Sequence, residues 1–294
     1  DAIQAFLGPG DEMIAFEPFY DSYPASATLA SARLMPVTLR APDWSFDRAE
    51  FAAALSDRTK LLLLNTPHNP TGKVFSREEL EWIAEVAQER DLIVLTDEVY
   101  DRITYDGVEH ISIATLPGMS ERTLTINSTG KTFSMTGWKI GYAIGPANLN
   151  AALRAVHQFV TFATATPFQE AMAVAMEVAP SLGYFRQLQA DYAHRRDLMR
   201  AAIESAGLPT LPAHGSYFLM ADWTGLDFAT DVDFCKFLVT EVGVATVPPS
   251  VFYSDPSNAP KLARFCFAKQ DATIEAAAER LAAARDRLSV ATAA

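Results

Sequence analysis

The sequence predicts an α/β protein: a mostly parallel sheet flanked by helices in a large domain over residues 1–179, followed by a smaller α+β domain over residues 180–294. Three observations carry this expectation. Two short runs, Lys60 to Leu64 (KLLLL) and Leu92 to Thr96 (LIVLT), are nearly continuous in apolar residues rather than alternating, as strands buried on both faces of a parallel sheet require. A capped helix lies between them, which makes a βαβ unit. The chain has 294 residues, more than an average domain of roughly 150, and from Pro180 onward its pattern shifts to one long helix followed by short strand-like pieces.

Taken in order, the first strand is expected at Glu12 to Phe16, the second at KLLLL, the third at LIVLT and the fourth at Thr123 to Asn127. Ser76 and Glu79 form a capping box, in which hydroxyl and carboxylate each satisfy a free N–H of the first turn; Leu80, Ile83, Ala84 and Ala87 follow at helical spacing up to Arg90 and Asp91. From about Asn148 the chain reads as long helical stretches punctuated by Pro167 and Pro180. Tyr184 to Ala206 predicts a long helix stopped by Gly207. The segments SYFLMAD, GVATVP and LARFCFA then read as strands, with a helix over Asp231 to Val242 among them. Asp271 is expected to cap a last helix that places Ile274, Ala278, Leu281 and Leu288 on one face.

Composition removes several classes of function. Lys and Arg total 24 against 36 Asp and Glu, a net charge of −12, which repels phosphate backbones and anionic lipid surfaces, so neither nucleic acid nor membrane is an expected partner. A mean hydropathy of +0.05 is that of a globular chain, and no apolar run approaches the roughly 20 residues that a bilayer span needs. The two cysteines, Cys235 and Cys266, sit inside apolar stretches and fit small buried thiols in a reducing, cytoplasmic setting. The five histidines are scattered, with no HExxH or CxxC, and no metal site is expected. Gly130-Lys131-Thr132 echoes a phosphate-binding P-loop, but the glycine needed five positions earlier is Thr125, inside a strand, so a nucleotide triphosphatase is excluded.

In open α/β sheets ligands bind beyond the carboxyl ends of the strands. Three such ends are rich here: KLLLL runs into Asn65-Thr-Pro-His-Asn69-Pro-Thr-Gly72, LIVLT into Asp97-Glu-Val-Tyr100, and LTIN into Ser128-Thr-Gly-Lys131. Singly, each reads as a turn, a helix cap or a surface lysine; together they converge amide, carboxylate, phenol, hydroxyl and amine on one edge. With Gly137-Trp-Lys-x-Gly141 and Arg264-Phe-Cys-Phe, these motifs resemble those of the class I/II aminotransferases of fold type I, which use pyridoxal 5'-phosphate (PLP). The stretches GKTFSMTGWKIGY, AVHQF and RFCFAK are most similar to the branch of kynurenine/glutamine transaminases and bacterial methionine aminotransferases, with succinyldiaminopimelate aminotransferases close behind.

The resemblance implies a role for each position. Lys131 is matched to the Schiff-base lysine and proton carrier, Asp97 to the partner of the pyridinium nitrogen, and Tyr100 and Asn69 to donors toward the phenolic oxygen. Ser128 and Lys139 match phosphate anchors, Lys139 being a point charge where many relatives carry an arginine fork. Arg264 is matched to the clamp on the substrate carboxylate, with Asn69 beside it. Phe162, in TFATATPF, falls where this branch places apolar pocket residues, though it equally fits a core phenylalanine on a helix. The implied activity moves the amino group of an L-amino acid with a methionine-like, aromatic or glutamine-like side chain to a 2-oxo acid, in a homodimer. A C–S β-lyase would use the same residues, and a non-catalytic binding module is the reading from a different class. The family's N-terminal arm, glycine-containing phosphate loop and stacking aromatic ring find no match here. The expectation is therefore a shortened form of a longer enzyme that on its own holds PLP weakly.

Overall fold

A computed structural model describes residues 1–289. Among these residues the main sheet has six strands in the order β2-β1-β3-β4-β5-β6, namely β1 (Glu12–Glu17), β2 (Arg33–Thr38), β3 (Thr59–Asn65), β4 (Ile93–Asp97), β5 (Thr123–Ser128) and β6 (Gly141–Ile144). Strands β1 to β5 are parallel and β6 closes the sheet antiparallel to β5. A second, antiparallel sheet pairs β7 (Phe218–Asp222) with β8 (Leu262–Cys266). The helices are α1 (Ala2–Phe6), α2 (Ser22–Leu29), α3 (Arg48–Ala54), α4 (Arg77–Glu89), α5 (Thr129–Thr132), α6 (Ala147–Val160), α7 (Thr166–Val178), α8 (Tyr184–Ser205), α9 (Asp231–Phe237), α10 (Asp271–Ala283) and α11 (Arg285–Ser289).

The apolar run of β3 divides between two cores. Leu62 and Leu64 pack with Ile14, Phe16, Val94 and the α4 residues Leu80, Ile83, Ala84 and Ala87, whereas Leu61 and Leu63 pack with Met13, Ala15, Leu95 and residues of α1, α2 and α6. Side chains two apart share a face and neighbours do not, so a strand covered on both sides must be apolar throughout. The expected capping box is present: Ser76 Oγ accepts from Glu79 N at 3.2 Å, and Ser76 N donates to Glu79 Oε2 at 2.8 Å. A third cluster joins α8, α9, α10, β7 and β8 to Tyr100, Ile103 and Tyr105, the segment that leaves β4. Gly207, at φ +90°, ends α8 as expected.

Several details depart from the sequence reading: β6 was not expected, the helix from Asp231 gives way to a π turn at Leu238, and Leu288 lies on α11 rather than on the helix of Ile274. Strand β2 (RLMPVT) carries Pro36, which suits it to the sheet edge where a missing N–H costs no ladder bond. GVATVP is no strand but a single bridge, Val247 to Arg264, because Pro248 and Pro249 follow without donors. Asp271 is the first residue of α10 rather than its cap; its carboxylate meets Arg195 and His194, and the acid in the first turn still suits the helix dipole. Cys266 is only partly buried, unlike Cys235.

Candidate active site

The ends of β1, β3, β4 and β5 open into one cavity of about 420 Å³, closed on the far side by Tyr217, Phe218 and Arg264. Asn69, Asp97, Tyr100, Ser128, Lys131 and Arg264, all singled out from the sequence, line it together. Asn65 ties two of these ends: its Nδ2 donates to the Asp97 carbonyl at 2.9 Å and its Oδ1 accepts from Asn69 N at 2.9 Å. Gly72, which turns the same loop back, has φ +74°, and an added Cβ would stand 2.8 Å from that of Ala213. Only glycine allows this close approach.

Asp97 ends β4. Its Oδ2 accepts from the Tyr23 hydroxyl at 2.6 Å and its Oδ1 from Val99 N at 3.2 Å. Burial pushes the carboxyl above its usual range, and these two bonds oppose the push. Tyr100 is buried with its ring edge-on to Tyr217, centroids 5.0 Å apart, and burial raises its phenol, so it keeps its proton as a donor.

Lys131 lies in α5, a single turn that Ser128 caps by accepting from Gly130 N at 3.1 Å while donating to the Ile140 carbonyl at 3.3 Å. The lysine Nζ stands 5.7 Å from the centre of the Tyr217 ring, and among the described residues it has no carboxylate partner within ion-pair distance. Arg264 is held between rings, its guanidinium 4.2 Å from the centre of Phe218 and 4.8 Å from that of Phe252. Nη1 donates to Asn69 Oδ1 at 2.9 Å, Nε is buried without a partner, and burial lowers the guanidinium's proton affinity. The turn bearing Phe252 is fastened to β1 and its exit, Phe19 N donating to the Phe252 carbonyl at 2.8 Å and Ser254 N to Glu17 Oε2 at 2.8 Å.

Two sequence candidates lie elsewhere. Lys139, at φ +58°, is exposed and lines an adjoining cavity of about 680 Å³, which shares Tyr23, Asp97, Ile126 and Asn127 with the first. Phe162, 83% exposed at φ +68° after α6, lines neither cavity, because the left-handed turn directs the chain outward before α7. Tyr20, Tyr23, Tyr217 and Phe218 were missed by the sequence reading and all face the cavity. Tyr20 supplies a partly exposed aromatic wall, although the sequence offered no match for such a ring. The strand-end rule applied to β1, whose exit reads Pro-Phe-Tyr-Asp-Ser-Tyr, would have found both Tyr20 and Tyr23.

Residues 1–281 match the family described as aminotransferase class I and II. The chain is 40% identical to the kynurenine–oxoglutarate transaminase of Dictyostelium discoideum and 40% identical to the methionine aminotransferase of Escherichia coli, in each case over 95% of this chain and 72% of the relative. A solved Escherichia coli methionine aminotransferase superposes with a TM-score of 0.91 at 40% identity, covering 96% of this chain and 73% of that one. The N-succinyldiaminopimelate aminotransferase of Mycobacterium tuberculosis superposes at 0.90 with 39% identity, covering 96% and 73%. Motifs, sheet order and cavity all agree with that match: the chain belongs to the class I and II aminotransferases, PLP-dependent enzymes of fold type I.

Proposed function

We propose that this aminotransferase works through Lys131, Asp97, Tyr100 and Arg264 on L-amino acids with uncharged side chains. The observation that carries the reading is the single cavity in which a lysine amine, a buried carboxylate, a phenol and a ring-sandwiched guanidinium meet. The residues present fit PLP. Asp97 has one donor on each oxygen and room for another, Lys131 has no carboxylate within ion-pair distance among the described residues, and Tyr20 offers an aromatic wall. When bound, PLP supplies an electron sink for the pair left at the substrate Cα and carries the amino group between the two substrates.

Lys131 Nζ is the base that takes the Cα proton and returns it. Asp97 holds the proton on the ring nitrogen, and Tyr100 and Asn69 donate toward the phenolic oxygen. Ser128 and Lys139 are the phosphate's partners: the Ser128 hydroxyl would turn its proton from the Ile140 carbonyl to the phosphate while still capping α5, and Lys139 lines the adjoining cavity. Arg264 holds the substrate carboxylate and so aligns the Cα–H bond. The remaining wall is aromatic, Tyr20, Tyr23, Tyr100, Tyr217 and Phe218, and among the described residues no second guanidinium lines it for a side-chain carboxylate. That lining favours methionine-like, aromatic or glutamine-like side chains over acidic ones.

We also infer a homodimer in a cytoplasmic setting and a division of the chain at residue 180. The dimer is supported by Phe159, Val160, Phe162, Val174 and Leu182, exposed on and beside the consecutive helices α6 and α7; lining neither cavity of its own chain, Phe162 would meet a substrate bound in a second copy. Both cysteines are free, and no helix among the described residues is long and apolar enough to cross a membrane. The division is supported by the core that joins Leu188 to Leu288, which also draws in Tyr100, Ile103 and Tyr105. The test of function is a panel of amino acids, each scored for conversion of the bound cofactor to its amine form, with Lys131→Ala as control. Methionine or phenylalanine should convert the parent and nothing should convert the variant. Turnover by Lys131→Ala refutes the assignment, and pyruvate release from a cysteine conjugate without added 2-oxo acid identifies a lyase instead.

A further inference from the structure

Tyr23 lies in the first turn of α2, just past the exit of β1, with its side chain buried against the sheet. Its hydroxyl makes the shortest hydrogen bond to Asp97, 2.6 Å to Oδ2, while Val99 N holds Oδ1 at 3.2 Å. One donor on each oxygen fixes the plane of the carboxylate and leaves a lone pair on each for a third donor. The Tyr23 ring also meets Tyr20 edge-on, centroids 5.8 Å apart, so one side chain supports both the acid and the aromatic wall of the cavity.

The charged and titratable groups that face Asp97 are few: Tyr23 from α2, Tyr100 and Glu98 from the segment that leaves β4, and Lys131 from α5. Burial favours the neutral acid, and Tyr23 is the largest influence opposing it. Burial also raises the Tyr23 phenol itself well above its ordinary value, so Tyr23 remains a donor at any working pH. A neutral Asp97 would lack the negative charge that keeps the proton on a pyridinium nitrogen.

We propose that Tyr23 is a positioning residue for the cofactor ring, its hydroxyl holding Asp97 ionised and oriented toward the ring nitrogen. This rests on the reading of Asp97 given above, with a role for Tyr23 that the family motifs do not contain. A purely structural Tyr23 would fill the core beneath α2 and leave the acid strength of Asp97 unchanged.

Tyr23→Phe separates the two, since it keeps the ring and its contact with Tyr20 but removes the donor. In protein freed of cofactor and labelled with carboxyl-¹³C aspartate, the Asp97 resonance, assigned with Asp97→Asn, should titrate about one pH unit higher in Tyr23→Phe, a tenfold change in acid constant. Tyr23→Leu should shift it likewise while also losing thermal stability. The dissociation constant for PLP, followed by its bound absorbance, should rise about tenfold in Tyr23→Phe. An unchanged Asp97 titration in the Phe variant overturns the proposal, and a shifted titration with unchanged PLP affinity overturns its cofactor half. If Lys131→Ala keeps the parent's cofactor spectrum, it is the assignment of the site that fails, because the titration needs no cofactor.

Discussion

Arg264 shows how much one side chain can be constrained. Two phenyl rings cover its faces, Asn69 holds Nη1, and its backbone exchanges both hydrogen bonds with Val247. Lysine cannot reproduce a planar fork, and a charge-assisted bond is worth about 1.5–3 kcal/mol, so Arg264→Lys should lower kcat/KM for amino acids roughly 10- to 150-fold with PLP affinity unchanged. Loss of PLP with normal turnover per bound cofactor would assign Arg264 to the phosphate instead. His68, in the same loop as Asn69, is buried and bonded to Thr71, and burial together with Lys73 pushes its imidazole down to about 3. The unfolded imidazole binds its proton near its ordinary value of 6.5, so between the two values the unfolded chain holds more protons. Stability should therefore fall as pH drops below about 6.5, by about 1.4 kcal/mol per pH unit from this residue. Urea midpoints of parent and His68→Gln at pH 7 and pH 5 check it: the variant should lose less on acidification, and parallel losses would show that His68 is not the source.

At the scale of elements, α4 owes its start to the reciprocal Ser76–Glu79 bonds, and Lys73 Nζ adds an ion pair to Glu79 at 2.7 Å. Ser76→Ala should cost about 1 kcal/mol in urea unfolding with an unchanged m-value. A loss below a few tenths would mean that packing of the α4 apolar face alone sets the helix start. Such local chemistry is what made elements legible in the sequence: β1, β3 and β4 are central with apolar runs, β5 alternates Leu124 and Ile126 with polar residues, α4 carries a capping box and α8 a glycine stop. The edge strands β2 and β6 were not foreseen, since half-exposed edges lack a continuous apolar run. In the site, polar residues directly after three strands were readable, because sheet topology sends them to one place. Tyr20 and Tyr23 were not, since tyrosines in an aromatic-rich run look like core unless the strand-end rule is applied to β1 as well; the hydrogen bond to Asp97 then sets Tyr23 apart. The outward course of Phe162 was not legible either, since no motif signals the left-handed turn that carries it there; its place in a substrate pocket stays a proposal for the dimer.

For the whole molecule, a net charge of −12 must be reconciled with a strongly apolar outer surface on α6 and α7, where Phe159 and Phe162 are each 83% exposed. The proposed dimer would cover such a surface at the cost of some charge repulsion. Phe159→Asp together with Phe162→Ser should shift the sedimenting species from dimer toward monomer at micromolar concentration, and an unchanged dimer would place the interface elsewhere. The division of β3 between two cores has a different consequence, one of timescale. Its amides lie in mid-sheet with a packed layer above and below, so no local fluctuation exposes Leu62, Leu63 or Leu64 to solvent. In native-state deuterium exchange they should be among the last protons retained, with opening energies equal to that of global unfolding. The loop bearing Asn69 leaves from the end of this slow strand, so the amide that steadies Arg264 is anchored to the part of the protein that opens only when everything does.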